Sequence, residues 1–334
     1  MVIQDARVLR DEFIPKEVVH RDAEVQRLAE TLEPITQGDK ADNSLLFGPP
    51  GTGKTCIAQH TLEKLEKEQL DVKYHYINCW ENYNRFKVLY KALEGIGKTL
   101  NVHRQSTPTD ELLKRLRDYD QLPYVLILDE VDQLEDEKVL YDLYSAPNIT
   151  MIMITNSESE FFNMDQRVRS RLMDSERIEF SKYSADELTD ILSDRVEWGL
   201  YRDAIDRSRL RKVALSADGD ARIAIGILRS AARKAEKESK EEITREMIQE
   251  SVPDAKENQK QKNVEKLNKH QKALYDIVNE EGKIKPGELY EKYGKKVDEP
   301  RTKRMLRKYL NKMEHYRLID SEGEGRWRVY KSKG

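Results

Sequence analysis

The chain has 334 residues, enough for two or three domains of roughly 150 residues each. Its longest apolar run, residues 122–128, is far shorter than the about 20 residues that cross a bilayer, and the N-terminus has no signal-peptide core. The two cysteines, Cys56 and Cys79, are too few for a disulfide framework or a cysteine zinc site. This composition predicts a soluble cytoplasmic protein with no membrane partner.

Charge is distributed unevenly along the chain. The formal net charge is -3, yet residues 256–334 contain 22 Lys and Arg against 13 Asp and Glu. That C-terminal part is net +9 and the residues before it are net -12. A polyanionic partner would therefore meet the C-terminal end, although a solvated lysine-rich surface would give the same counts.

In the first half of the chain, short apolar runs alternate with helix-length amphipathic stretches. Five runs are strand-like, and they are residues 44–47, 72–77, 124–128, 149–154 and 177–180. This alternation is typical of parallel strands joined by crossover helices, an α/β layer fold.

Strand-like runs end before Lys182. Ser184 and Glu187 have the spacing of a capping box, which predicts a helix start. Further helices are predicted near residues 208–215, 221–237 and 244–250. The polar stretch 253–266 begins with a proline and lacks apolar periodicity, so we interpret it as a linker.

The C-terminal stretch has the pattern of three helices followed by a β-hairpin. The helices are predicted over 268–279, 286–293 and 301–316, and the strands over 318–320 and 326–330. This order is the outline of a winged helix-turn-helix domain. We interpret Trp327 as an anchor of the hairpin core rather than as a base-stacking residue.

The third of these helices is basic and amphipathic. Leu306, Leu310 and Met313 have the spacing of one buried face. The outward residues are then Arg301, Lys303, Arg304, Arg307 and Lys308. A recognition helix offers its N-terminal residues to the major groove, and a wing with Arg326 and Arg328 suits phosphate or minor-groove contacts. A basic helix that binds protein is the alternative.

Residues 48–55 fit the phosphate-loop pattern G-x-x-x-x-G-K-[ST] in full, after a strand and before a helix. Glycines let backbone N–H groups turn toward phosphates, Lys54 reaches the β- and γ-phosphates, and the Thr55 hydroxyl serves Mg²⁺. The predicted nucleotide-binding residues here are Gly48, Pro49, Pro50, Gly51, Thr52, Gly53, Lys54 and Thr55. The pattern predicts a site for ATP or ADP with Mg²⁺.

Polar residues at two predicted strand ends complete the chemistry of nucleotide hydrolysis. Asp129 and Glu130 follow an apolar strand. We expect Asp129 to hold the Mg²⁺ shell and Glu130 to polarise the attacking water. Asn156 ends the next strand, where it would contact the γ-phosphate or the water, and an ordinary turn asparagine is its alternative. Asp132 is interpreted as a structural or surface acid.

Two groups of arginines are suited to stabilise the negative charge that develops on the phosphates during hydrolysis. Arg167, Arg169 and Arg171 lie close together, and one would act as an arginine finger on a neighbouring copy's nucleotide. Arg171 is the first choice and Arg169 the second, while surface ion pairing is expected for at least one of the three. Arg222, at the start of a predicted helix, would reach the nucleotide from the lid side unless it only pairs with an acid.

The ordered motifs resemble those of the AAA+ ATPases, and more narrowly the archaeal origin-recognition initiators, over nearly the whole chain. The stretches that carry the resemblance are 13–15, 19–21, 76–79, 84–89, 128–132, 167–171, 177–195 and 219–224. The resemblance implies that His20 and Arg21 lie near the adenine and that Tyr183, Arg195 and Arg222 contact ATP. It also implies an extra DNA-contacting helix, which we look for between residues 80 and 111.

The same resemblance implies the domain plan and the function. It predicts an AAA+ parallel-sheet P-loop ATPase base over 1–182, a helical lid over 183–252, the linker over 253–266 and a winged-helix DNA-binding domain over 267–334. It predicts an initiator that hydrolyses ATP slowly as a switch. Its partners would be double-stranded origin DNA in the nucleoid, the replicative helicase and other initiator copies. A clamp-loader-like remodelling ATPase and a nucleotide-binding DNA regulator remain as alternatives.

Overall fold

The computed structural model describes residues 1–68, 72–103, 106–162, 164–323 and 325–333, without the side chains of residues 160 and 326. The chain divides into two compact units, Met1–Ala255 and Lys256–Gly334. Among the residues described, no helix is both long and apolar enough to span a membrane.

A five-stranded parallel sheet forms the centre of the first unit, in the order β2-β3-β4-β1-β5. The strands are β1 (Ser44–Phe47), β2 (Lys73–Asn78), β3 (Tyr124–Asp129), β4 (Ile149–Thr155) and β5 (Glu176–Glu179). All residues of β3 and β4 are buried, as central strands with helices on both faces should be. Because the strands are parallel, the carboxyl ends of β1, β3 and β4 meet at one edge.

Helices cover both faces of this sheet. They are α1 (Asp22–Leu32), α2 (Lys54–Glu68), α3 (Arg85–Gly95), α4 (Thr109–Arg117), α5 (Lys138–Tyr144), α6 (Glu158–Phe162) and α7 (Gln166–Leu172). Successive residues of β3 point to opposite faces, so Val125 enters the core beneath α1 and α2. Leu126 enters the core beneath α3, α4 and α5. The α/β layer fold predicted from the strand spacing is confirmed.

A helical lid completes the first unit with its own apolar core. Its helices are α8 (Ala185–Gly199), α9 (Arg207–Ser216), α10 (Ala221–Lys237) and α11 (Arg245–Glu265). The predicted capping box is present, because Ser184 Oγ accepts from the Glu187 N–H at 3.2 Å and Glu187 Oε2 accepts from the Ser184 N–H at 2.7 Å. Val2 and Leu9 from the N-terminal segment are buried in this core.

The stretch 253–266 is helical rather than an irregular linker, because α11 continues through it to Glu265 with Pro253 inside the helix. A proline removes one helical hydrogen bond and bends the helix without always ending it. The residues after it are mainly Ala, Lys, Glu, Asn and Gln, several of which favour helices without any apolar face. The lack of apolar periodicity therefore could not distinguish a largely exposed helix from a loop.

The second unit contains α12 (Lys269–Glu281), β6 (Lys283–Ile284), α13 (Pro286–Lys296), α14 (Lys303–His315), β7 (Ile319–Glu322) and β8 (Val329–Ser332). The three strands form an antiparallel sheet in the order β6-β8-β7. The predicted strand 326–330 begins only at Val329, after the turn Gly325–Trp327. The expectation for Trp327 is wrong, since it is 70% exposed while Tyr330 fills the core.

Candidate functional site

The loop between β1 and α2 can form only with glycines at its bends. Gly48, Gly51 and Gly53 have φ values of 144°, 74° and 94°, where residues with a Cβ are disfavoured. A Cβ on Gly48 would lie 2.0 Å from the Phe180 carbonyl oxygen. Thr52 closes the loop by donating its hydroxyl to the Pro49 carbonyl at 2.9 Å. The loop thus lies at the N-terminus of α2, where backbone N–H groups favour anions.

Lys54 is buried at the centre of this loop. Its Nζ donates to the carbonyl oxygens of Gly48 at 2.6 Å and Pro49 at 2.8 Å. Burial lowers the pKa of Lys54 to about 8, and the charge of Arg222 acts in the same direction. A poorly solvated ammonium at a helix N-terminus is suited to bind a multivalent anion.

The oxygen ligands expected for Mg²⁺ meet beside the loop. The Thr55 hydroxyl donates to Asp129 Oδ2 at 2.8 Å, which joins the start of α2 to the end of β3. Mg²⁺ prefers oxygen ligands and is usually held by one or two carboxylates together with substrate phosphates. No cluster of three metal-ligating side chains occurs in the described ranges, so nucleotide phosphates and water would supply the other ligands. Thr55 and Asp129 fit this role.

The ends of β3 and β4 are joined by a buried acid. Asp132 accepts from Gln133 Nε2 at 2.7 Å and from the Thr155 hydroxyl at 3.4 Å. This supports the interpretation of Asp132 as a structural acid. Glu130 has a left-handed backbone, φ 58°, which turns the chain out of β3, and Asn156 directly follows β4. Strained backbone of this kind is often found at functional sites.

The lid contacts the phosphate loop through the start of α10. Asp220 caps this helix by accepting from the Arg222 N–H at 2.9 Å. The next residue, Ala221, donates its N–H to the Gly51 carbonyl at 3.0 Å. A Cβ on Gly51 would lie 1.9 Å from Asp220 Oδ1, so loop and lid pack without space for a side chain.

Arg222 lies beside the contact between lid and loop, and its charge acts on Lys54. Its Nε is buried and has no hydrogen-bond partner among the described residues. The nearest acid oxygen, on Asp220, is 3.8 Å from Nε. Because the charge of Arg222 acts on Lys54, a phosphate between the two cations would be attracted by both.

Tyr183 and Arg21 lie on another side of the loop. The Tyr183 hydroxyl would be 2.7 Å from a Cβ on Gly53, so it lies directly against the loop. Arg21 is buried and its guanidinium lies 4.2 Å from the Tyr183 ring centre, while Nη2 donates to the Ser181 carbonyl at 2.6 Å. Tyr183 therefore lies at the loop and Arg21 packs on Tyr183, while the nucleotide contacts that the resemblance implies for both stay predictions.

His20 and Arg195 bind the lid to the N-terminal segment. His20 Nε2 lies 2.9 Å from Asp190 Oδ2 on α8. Arg195 is buried and donates to the carbonyls of Val8 at 2.7 Å and Phe13 at 3.0 Å. Both side chains thus hold the segment that leads to Arg21, and their contact with nucleotide stays a prediction.

The three candidate finger arginines lie on or beside α7, which Asp165 caps. Arg169 donates to the Phe162 carbonyl at 2.8 Å, while Arg167 and Arg171 are exposed. Arg169 therefore has a local partner that helps to position α6 against α7. Action of Arg171 on a second molecule stays a prediction.

The basic helix α14 has the two faces that its sequence predicts. Leu306, Leu310 and Met313 are buried. Thr302 caps the helix by accepting from the Met305 N–H at 3.4 Å. The exposed basic residues at its start are Arg301, Lys303, Arg304 and Arg307, and Lys308 is half-buried.

Arg328 lies between the hairpin and α14. Arg328 is half-buried, 3.6 Å from Glu314 Oε2 on α14, and its guanidinium lies 5.8 Å from the Tyr330 ring centre. Arg328 therefore contacts both hairpin and helix, and its contact with DNA stays a prediction. The side chain of Arg326 lies outside the described residues.

Two residues at the phosphate site escaped the sequence reasoning. Tyr76 on β2 donates its hydroxyl to Asp129 Oδ2 at 2.9 Å, and Asp220 caps α10 against Gly51. The Gly-Asp pair before α10 is a helix-start signal that could have identified Asp220. Tyr76 could be found only from the pairing of β2 with β3, which the sequence does not specify.

Comparison with known proteins agrees with this architecture. Residues 37–161 match the family model of the AAA domain, and residues 189–252 match the Cdc6 AAA+ ATPase-type lid domain. The parallel sheet, phosphate loop and helical lid therefore define an AAA+ ATPase fold, as the motifs predicted.

Curated relatives that match nearly the whole chain include ORC1-type DNA replication proteins. The ORC1-type DNA replication protein 1 of Halobacterium salinarum is 53% identical over 307 residues, which are 92% of this chain and 100% of the relative. The solved Aeropyrum pernix ORC1 protein in complex with DNA is 27% identical with a TM-score of 0.77, over 99% of this chain and 93% of that one. The Aeropyrum pernix ORC2 protein, solved as ADPNP-ADP complexes, is 21% identical over 99% and 94% of the two chains with a TM-score of 0.66, a likeness of fold alone.

The chain belongs to the family of ORC1-type DNA replication proteins, which confirms the resemblance to archaeal origin-recognition initiators.

Proposed function

We propose that this chain is an ATP-switched replication initiator that binds double-stranded origin DNA and helps to recruit and load the replicative helicase. It would act in the cytoplasm at the nucleoid, together with other copies of itself. The observation that carries the switch is the contact between lid and phosphate loop, where Ala221 donates to Gly51 and the buried Arg222 Nε lies close by. A nucleotide phosphate between Lys54 and Arg222 would relieve their repulsion and tie the lid to the loop.

The proposed hydrolysis uses residues at the strand ends. Lys54 would hold the β- and γ-phosphates, and Thr55 with Asp129 would hold Mg²⁺. Bound Mg²⁺ would neutralise charge on the phosphates. Glu130 would polarise the attacking water and Asn156 would orient it or the γ-phosphate. Loss of the γ-phosphate would remove the acceptor of Arg222 and free the lid, so that hydrolysis changes conformation.

The proposed domain plan separates nucleotide chemistry from DNA binding. Residues 1–182 form the ATPase base and 183–252 the lid, and the helical stretch 253–266 leads to a winged-helix domain over 267–334. Within that domain α14 is the proposed recognition helix and the β7–β8 hairpin the wing. Three helices with a three-stranded antiparallel sheet support this plan. A clamp-loader-like protein would be expected to end in a helical collar instead.

DNA binding is supported by the surface of α14. Its exposed basic residues lie in the first turns of the helix, in a part of the chain with net charge +9. The relative solved with DNA covers both units of this chain. A regulator without useful hydrolysis is less well supported, because Lys54, Asp129, Glu130 and Asn156 are all in place at the strand ends and loop.

Origin recognition is tested by measuring how one substitution changes the affinity of the protein for two kinds of duplex. If Arg304 reads a base edge, Arg304→Ala should cost roughly 1–3 kcal/mol on the cognate origin duplex and little on random duplex. Fluorescence anisotropy with the full chain and duplexes from its own upstream DNA measures both. Lys272→Ala, on α12, is the matched control, because Lys272 is already paired with Asp276. Equal losses on both duplexes would show that Arg304 reads no sequence.

A further inference from the structure

The carboxylate expected to hold Mg²⁺ is fixed by two hydroxyl donors. Asp129 Oδ2 accepts from the Thr55 hydroxyl at 2.8 Å and from the Tyr76 hydroxyl at 2.9 Å. Asp129 Oδ1 has no hydrogen-bond donor among the residues that the structure describes. A carboxylate with one oxygen held by two donors cannot rotate freely, and its other oxygen is left for further contacts.

The backbone positions Tyr76 for this contact. β2 and β3 pair in parallel, with Tyr76 opposite Ile127 and Asn78 opposite Asp129. Tyr76 therefore reaches the carboxylate from the neighbouring strand, across the carboxyl edge of the sheet. Asn78 Nδ2 lies 3.5 Å from the Tyr76 oxygen, and Asn78 Oδ1 accepts from the Trp80 N–H at 2.8 Å. The turn after β2 thus supports the tyrosine.

The chemistry of the two groups fixes the direction of the hydrogen bond between Tyr76 and Asp129, because a carboxylate oxygen accepts and the phenol O–H donates. Its proton must go to Asp129 Oδ2, the only carboxylate oxygen within hydrogen-bond distance of it among the described residues. Without this bond only Thr55 would hold Oδ2, and Thr55 is itself expected to bind the ion.

We propose that Tyr76 is a positioning residue for the magnesium site, which orients Asp129 toward the ion that accompanies the nucleotide. This inference rests on the proposed ATP and Mg²⁺ site. Groups that orient metal ligands typically contribute about 10- to 100-fold to metal affinity or activity. Tyr76 should therefore affect the Mg²⁺-dependent part of nucleotide binding and leave the metal-independent part unchanged.

The test is Tyr76→Phe in the full chain, with Tyr74→Phe as matched control. Tyr74 lies two residues earlier on the same face of β2, and its hydroxyl interacts with Glu66 instead of Asp129. Binding of fluorescent ADP is titrated in EDTA and then with increasing Mg²⁺, and thermal unfolding is followed in parallel.

Tyr76→Phe should bind ADP in EDTA as wild type does and need about 10-fold more Mg²⁺ for the half-maximal gain in affinity. Tyr74→Phe should match wild type in both measurements. Equal Mg²⁺ midpoints for all three proteins would overturn the proposal. So would a loss of affinity in Tyr76→Phe that is the same with and without Mg²⁺. If wild type itself bound no nucleotide, the proposed function would fail instead.

Discussion

Substitutions of two side chains at the phosphate site should affect ATP binding and ATP hydrolysis separately. Lys54→Ala removes the charge that faces the β- and γ-phosphates, so ATP affinity should fall by about 10- to 100-fold, the equivalent of a lost charged hydrogen bond. Glu130→Gln removes only the activation of water, so binding should stay within about two-fold while hydrolysis falls by about 100-fold or more. Equilibrium binding and single-turnover hydrolysis measure the two effects. An equal loss of binding in both variants would contradict these roles.

The lowered pKa of Lys54 predicts a pH dependence of nucleotide binding. Burial of the ammonium lowers this pKa to about 8. Nucleotide phosphates favour the charged form, so the pKa must be higher in the complex. Above about pH 8 binding therefore takes up a proton, and affinity should fall by up to about ten-fold per pH unit.

The measurement for this effect is ADP affinity in EDTA between about pH 7 and pH 10, for wild type and Lys54→Arg. An arginine stays charged over this range, so its profile should be flat. If ADP affinity declined with pH in Lys54→Arg as it does in wild type, the group that titrates would not be Lys54.

At the scale of elements, the exposed position of Arg171 on α7 predicts that this arginine acts on the nucleotide of a neighbouring molecule rather than on that of its own molecule. Arg171 is exposed on this helix, so Arg171→Ala should leave ATP affinity of the monomer unchanged. Arginine fingers contribute about 10³-fold or more in other phosphoryl-transfer proteins, so the concentration-dependent part of the ATPase rate should disappear. Arg167→Ala, on the same helix and also exposed, is the comparison. If Arg171→Ala slows hydrolysis equally at every protein concentration, the residue acts in cis.

Elements with a strong apolar signal in the sequence were predictable, and elements without one were not. β1 has the predicted bounds and β3 and β4 each run one residue further, since buried central strands are continuous apolar runs. The second half of α11 was missed, because an exposed helix can form from helix-favouring polar residues alone. The start of β8 was also misplaced, because Tyr330 fills the core position that was expected for Trp327, which is exposed.

In the candidate site, too, only residues that belong to local motifs were predictable. Lys54, Thr55 and Asp129 follow from local motifs, and the fold brings them together as expected. Tyr76 could not be found, because its contact depends on which strand lies beside β3. The partners of Arg328 and Arg195 were likewise set by packing between distant segments, which local sequence does not encode.

At the scale of the whole molecule, the phosphate loop lies in the first unit and the proposed DNA-reading helix lies in the second, basic unit. DNA phosphates that meet lysine or arginine release counterions, so the logarithm of affinity should fall with the logarithm of salt at about 0.9 per contact. Four exposed basic residues begin α14 or directly precede it, and they are Arg301, Lys303, Arg304 and Arg307. Their contribution to the salt slope can be measured in the full chain.

The most direct measurement is a salt titration of duplex binding for wild type and for the variant with these four residues changed to alanine. The control variant loses four lysines of the same unit that are paired with acids, Lys272, Lys283, Lys292 and Lys296. We expect a slope shallower by about 0.9 for each α14 residue that meets a phosphate, and a nearly unchanged slope in the control. If the α14 variant keeps the wild-type affinity and slope on origin duplex, α14 is not the DNA-reading helix and the proposed initiator role of this unit is contradicted.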